Sequence, residues 1–201
     1  MLTDRVLTLG KVNPWLKRAG MVALGVALMW ISAKIRVTTI PVPVTMQTLV
    51  VIAIGMAYGA RMGAATMIAY LALGAAGQPV FAGTPELGIG LAYMFGPTGG
   101  YLVGFVAAAA VTGWLAERGW DRNVLTATAA MAIGIAALFL PGVFWLAYGF
   151  PLTAFGADLS GVGLEKAIAF GVFPFIWIDA MKLALAAVGF PLIWRLIGGR
   201  V

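Results

Sequence analysis

The residues best suited to chemistry are Asp179 and Lys182, set in the otherwise apolar run Phe-Pro-Phe-Ile-Trp-Ile-Asp-Ala-Met-Lys-Leu. A charge at the centre of a membrane helix costs about 2.5–3.5 kcal/mol on insertion scales, so such residues usually face a cavity. Three positions apart, the two share one helix face. With Pro174 in the first turn they stand roughly 8 and 12 Å along the helix, at about 1.5 Å per residue. A carboxylate accepts N–H bonds and an ammonium donates to a carbonyl, so together they match the edges of an amide or urea group on a neutral polar ligand. A structural ion pair joining two helices is the alternative.

A second polar set follows two prolines in Ile-Pro-Val-Pro-Val-Thr-Met-Gln-Thr-Leu, residues 40–49. Thr45, Gln47 and Thr48 stand just inside an apolar run, where amide and hydroxyl groups can reach a ligand; Thr45 also suits a plain N-cap. A third set lies along the long connection 78–102, where Phe81, Tyr93 and Phe95 occur among glycines and prolines (Gly-Pro-Thr-Gly-Gly-Tyr at the end). These aromatics can cover an apolar ligand, or the segment can be a tight turn into the next helix. Ala19, Ala23 and Ala27 put small residues on one helix face, where another helix can approach closely, from a partner or from this chain.

The elements that must position these residues are membrane helices. Hydrophobic residues make up 62% of the 201 and charged residues 10%, with a mean hydropathy of +1.01, too apolar for a water-covered surface. No charge occurs in 37–60, 62–85, 87–116 or 123–157, and about 20 apolar residues suffice to span a bilayer. Two further runs carry charges. The expected fold is therefore all-α, a single polytopic membrane domain over 1–201 with six transmembrane helices. Their approximate bounds are 19–36, 45–60, 62–78, 99–116, 124–148 and 172–197. Pro141 makes the fifth either a kinked helix or a helix followed by a re-entrant piece. The first apolar run lacks the form of a cleavable signal peptide.

With both termini cytoplasmic, Arg5, Lys11, Lys17, Arg18, Arg61, Arg118, Arg122, Arg195 and Arg200 fall inside, against Lys34, Arg36 and Lys166 outside. Nine against three agrees with the positive-inside rule. The inner connections are then short and the outer ones (37–44, 79–98, 149–171) long, which points to function on the outer face. The scattered basic residues do not form a nucleic-acid patch. The chain has no Cys and no His, which excludes disulfides, thiolate or imidazole metal sites and His-dependent triads. No phosphate-binding glycine motif occurs.

Val42–Leu49 (VPVTMQTL), Gly77–Gly83 (GQPVFAG), Gly96–Tyr101 (GPTGGY) and the Asp179-x-x-Lys182 pair, in this order, resemble the BioY family of biotin transport proteins. The resemblance runs from about residue 40 to residue 185. It implies the substrate-capture (S) component of an energy-coupling factor transporter in the bacterial inner membrane, with six helices and a vitamin pocket open to the outside. On that basis Asp179 and Lys182 bind the ureido head of biotin, Gln47 and Thr45 add polar contacts, and the loop holding Phe81 and Gly83 covers the site. Ala23 and Ala27 match the face that meets a transmembrane coupling protein, which works with ATPase subunits. Some relatives carry a basic residue just before GPTGGY. This chain has Leu91 to Phe95 there, leaving Tyr93 as a substitute near biotin's carboxylate. The resemblance implies no cofactor, no metal and no catalysis. An S component for another vitamin and a membrane enzyme using Asp179 as its base are the alternatives.

Overall fold

Asn13 begins the first helix: its side chain accepts the Trp15 N–H at 2.9 Å, and Pro14 occupies the first turn, where no N–H is needed. The structure is a computed structural model and describes residues 13–37, 41–149 and 161–198. Arg5, Lys11, Arg200, Ile40 and the centre of the third outer connection, 150–160, lie outside the described residues. Helix α1 spans Pro14–Lys34, so it starts and stops earlier than the sequence bounds of 19–36, because Asn13 and Pro14 supply a start signal upstream of the apolar run. A short antiparallel pair follows, β1 (Arg36–Val37) with β2 (Val44–Thr45), placing Arg36 opposite Thr45. This ladder amends the all-α expectation. The prolines at 41 and 43 favour an extended approach, which leaves Thr45 in a strand rather than a helix.

Helix α2, Gln47–Ala75, is broken at Gly59 (φ 82°, ψ 173°), a conformation open essentially to glycine alone. A Cβ on Gly63 would stand 3.1 Å from the Gly55 Cα, and Gln47 Nε2 donates to the Tyr70 hydroxyl at 2.8 Å. The two limbs therefore fold back on each other around Gly59. Helices α3 (Gly90–Met94), α4 (Gly99–Glu117) and α5 (Val124–Phe144) follow. α5 runs through Pro141 into one wider π turn, Trp145–Gly149. α6 (Leu164–Gly171) and α7 (Phe173–Gly198) meet at a bend of 41°. Among the described residues four helices are long and apolar enough to cross a membrane, five when the bent pair counts as one.

Lipid tails are as apolar as leucine, so close packing must hold such helices together. α4 does this on two faces. A Cβ on Gly113 would strike the backbone of Gly59 and Ala60, and one on Gly104 would strike the Leu138 carbonyl of α5. The Ala60 N–H also donates to Glu117 Oε1 at 2.9 Å, tying the turn of α2 to the end of α4. The long connections gather at the opposite end, where Trp145 Nε1 donates to the Gly96 carbonyl at 3.0 Å.

Candidate functional site

At that opposite end Lys34, the last residue of α1, directs its ammonium to the carbonyls of Pro79, Phe81 and Thr84 and to Thr84 Oγ1, at 2.9–3.2 Å. One lysine thus organises the loop 79–84, with Thr84 Oγ1 also donating to the Phe81 carbonyl at 2.7 Å. The Phe81 ring lies directly over Gly74, where a Cβ would collide with it. Fully buried, Phe81 stacks on Tyr93 (centroids 5.1 Å, 19°) and meets Tyr70 edge-on at 5.4 Å.

Beneath this loop is a narrow hollow with a cavity volume of about 40 Å³, well below the roughly 300–1,000 Å³ of small-molecule sites, so a ligand enters it only if the surrounding walls move apart. Its polar side is formed by Thr45, Gln47 and Thr48, all buried. Tyr93, Tyr101, Phe105 and Phe175 supply aromatic surface, and Val42, Pro43 and Ala82 lie toward the loops. Tyr101 is fixed by donating to the Gly171 carbonyl at 3.0 Å, and it belongs to a ring cluster with Phe139 and Phe175. Thr45 Oγ1 accepts the Gln47 N–H at 3.2 Å, so it caps the helix start while lining the hollow. Burial pushes the Tyr93 phenol up, with a hydrogen bond from Thr98 and the charge of Arg36 acting in the other direction.

Asp179 and Lys182 stand one layer behind. They line a smaller gap that shares Thr48 with the hollow. Lys182 Nζ donates to the Thr45 carbonyl (2.6 Å), Thr48 Oγ1 (2.9 Å) and Asp179 Oδ1 (2.7 Å), using all three of its donors. Thr48 Oγ1 donates in turn to Asp179 Oδ1 at 2.8 Å. Asp179 Oδ2 is buried and has no hydrogen-bond partner among the described residues. A buried carboxylate oxygen left in that state is costly, and an N–H donor brought to it would relieve the cost.

A family model described as the BioY family matches residues 6–199. The chain belongs to the BioY family. It is 38% identical over 172 residues to a probable biotin transporter BioY of Pyrococcus horikoshii, covering 86% of this chain and 93% of that one. It is 35% identical to the biotin transporter BioY of Thermotoga maritima, over 81% of this chain and 86% of the other. A solved structure of the S-component for biotin from an ECF-type ABC transporter shares the fold, with a TM-score of 0.69, 23% identity and coverage of 92% and 95%.

Within this BioY chain, Thr45, Gln47 and Tyr93 face the hollow, Asp179 and Lys182 back it, and Phe81 and Gly83 lie outside its lining. Phe81 acts from behind Tyr93, and Gly83, with φ +78°, shapes the loop. Phe95 is exposed. Ala23 is exposed and Ala27 half-buried, on an open groove between α1 and the second limb of α2, which contributes Ala69 and Leu73. Thr48 lines the hollow beside Thr45 and Gln47, as the polar set at 40–49 suggests, whereas the sequence does not single out Tyr101 and Phe175 as ligand contacts, although Tyr101 closes the Gly-Pro-Thr-Gly-Gly-Tyr motif.

Proposed function

We propose that this protein captures biotin from outside the cell in the hollow beneath the 79–84 loop and passes it inward unchanged, as the S component of an ECF-type transporter. The observation that carries the reading is the composition of that hollow: aromatic walls around a polar side braced by the Asp179–Lys182 pair. A fused ring with a ureido group needs such a mixture of apolar enclosure and paired donor and acceptor. A ureido N–H would satisfy Asp179 Oδ2. Its carbonyl would accept from Gln47 or from Lys182 in exchange for the Thr45 carbonyl. Thr45 would complete the polar contacts, while Phe81 and Gly83 would keep the cover in place. No chemistry is done on the ligand, in line with relatives that are named as transporters.

Counting both limbs of α2 and the α6–α7 pair as one passage gives six crossings in a single membrane domain. Both termini are then cytoplasmic, in the cell membrane or, where there are two, the inner one. The groove carrying Ala23 and Ala27 is the side on which a transmembrane coupling protein would seat, with ATPase subunits beyond it and lipid around the remaining surface.

The test is binding by the detergent-purified protein across a panel of vitamins, with mass spectrometry of the recovered ligand. Biotin is expected to bind, to resist competition by the others and to return with unchanged mass. Displacement by a different vitamin would reassign the ligand, and a changed mass would favour an enzyme.

A further inference from the structure

A carboxylate tail on a ligand with a ureido head is held most strongly by a cation at the far end of its site, and the segment just before Gly96 offers none: Leu91, Ala92, Tyr93, Met94 and Phe95 are all uncharged. Three described cations lie at this end of the molecule. The Lys34 ammonium is held by four oxygen contacts. Lys166 is exposed on α6. Arg36 remains. Its Cα partner across the short ladder is Thr45, a residue of the polar side of the hollow. Its guanidinium runs to the cover, where Nη1 lies 2.8 Å from the position a Cβ on Gly83 would take. Gly83 adjoins Ala82, which faces the hollow, and the Arg36 charge is felt at Tyr93, which also faces it.

We propose that Arg36 holds the carboxylate of the bound ligand at the loop end of the hollow, with Gly83 left bare so that the guanidinium can lie against the cover. The inference rests on the biotin reading above and adds the residue that recognises the charged tail. Among the described residues one weak tie opposes it: Glu86 Oε2 stands 3.7 Å from Arg36 Nη2, on a side chain two-thirds exposed. An exposed pair at that distance contributes little. A ligand carboxylate approaching the planar fork can make two parallel bonds and displace it.

The experiment compares biotin with biotin amide, which keeps the ureido ring and lacks the negative charge, on the full-length protein and its Arg36→Gln and Arg36→Lys variants. The unaltered protein should prefer biotin. Arg36→Gln should lose about 10- to 100-fold in biotin affinity, the size expected for a charge-assisted hydrogen bond, and bind the amide as before. Arg36→Lys should keep part of the preference. Equal weakening of both ligands would mean that Arg36 only braces the loop, and unchanged biotin affinity would mean that the tail is held elsewhere; either result overturns the proposal. An unaltered protein that binds biotin and its amide equally well refutes the Arg36 assignment alone, whereas one that binds neither removes the biotin reading as well.

Discussion

Asp179 and Lys182 are unequally satisfied: the ammonium has three acceptors, and one carboxylate oxygen has no partner among the described residues. Removing either member leaves the other as a buried charge, at a cost of about 3–5 kcal/mol, so Asp179→Asn and Lys182→Met should each fold poorly and bind poorly. The double variant is the informative one. Neutral replacement of a buried pair is often tolerated, so it should insert and melt near the original temperature in detergent while failing to bind biotin. Near-normal affinity in a stable double variant would make the pair a purely structural brace. The pair was legible in the sequence because a charge inside an apolar run stands out. Its layer was not, since periodicity gives a shared face and says nothing of Thr48 standing between that face and the hollow.

Elements were legible to differing degrees for equally physical reasons. Charges at Arg61, Glu117 and Arg122 mark helix ends, yet the reversal in α2 occurs at Gly59, where φ is +82°. The two-residue ladder was illegible because a pair so short leaves no alternating pattern. The seat of Phe81 over Gly74 was illegible because it joins a loop to a helix through a missing side chain. The turn of α2 gives a prediction of its own. Gly59→Ala should cost about 1–3 kcal/mol from backbone strain, and Gly113→Ala a similar amount, because its methyl would overlap the same turn. Thermal melts in detergent check both. If the turn and α4 are packed as described, combining them should cost less than the sum, since the strained turn has already moved.

For the whole molecule, the groove of Ala19, Ala23 and Ala27 lies along α1, away from the hollow. Ala23→Trp and Ala27→Trp should therefore lower co-purification with a coupling protein severalfold while leaving biotin affinity nearly unchanged. Pull-down from membranes containing both proteins, run beside ligand titration of the isolated variants, reads the two effects separately. Joint loss of association and ligand binding would make this face internal packing. The small-residue spacing that exposes the face is visible in the chain, whereas the second limb of α2, which forms the other wall of the groove, became evident only from the fold.

Lys34 and the alanine groove belong to one rigid rod. From Ala23 to Lys34 is about 17 Å of helix at about 1.5 Å per residue. A tilt of roughly 10° pivoting near Ala23 would swing the ammonium by about 3 Å, comparable with a hydrogen-bond length. All four of its oxygen contacts fall on the 79–84 loop, so a tilt of this size would make the rod a lever whose short stroke either drags the loop along or releases it in one event.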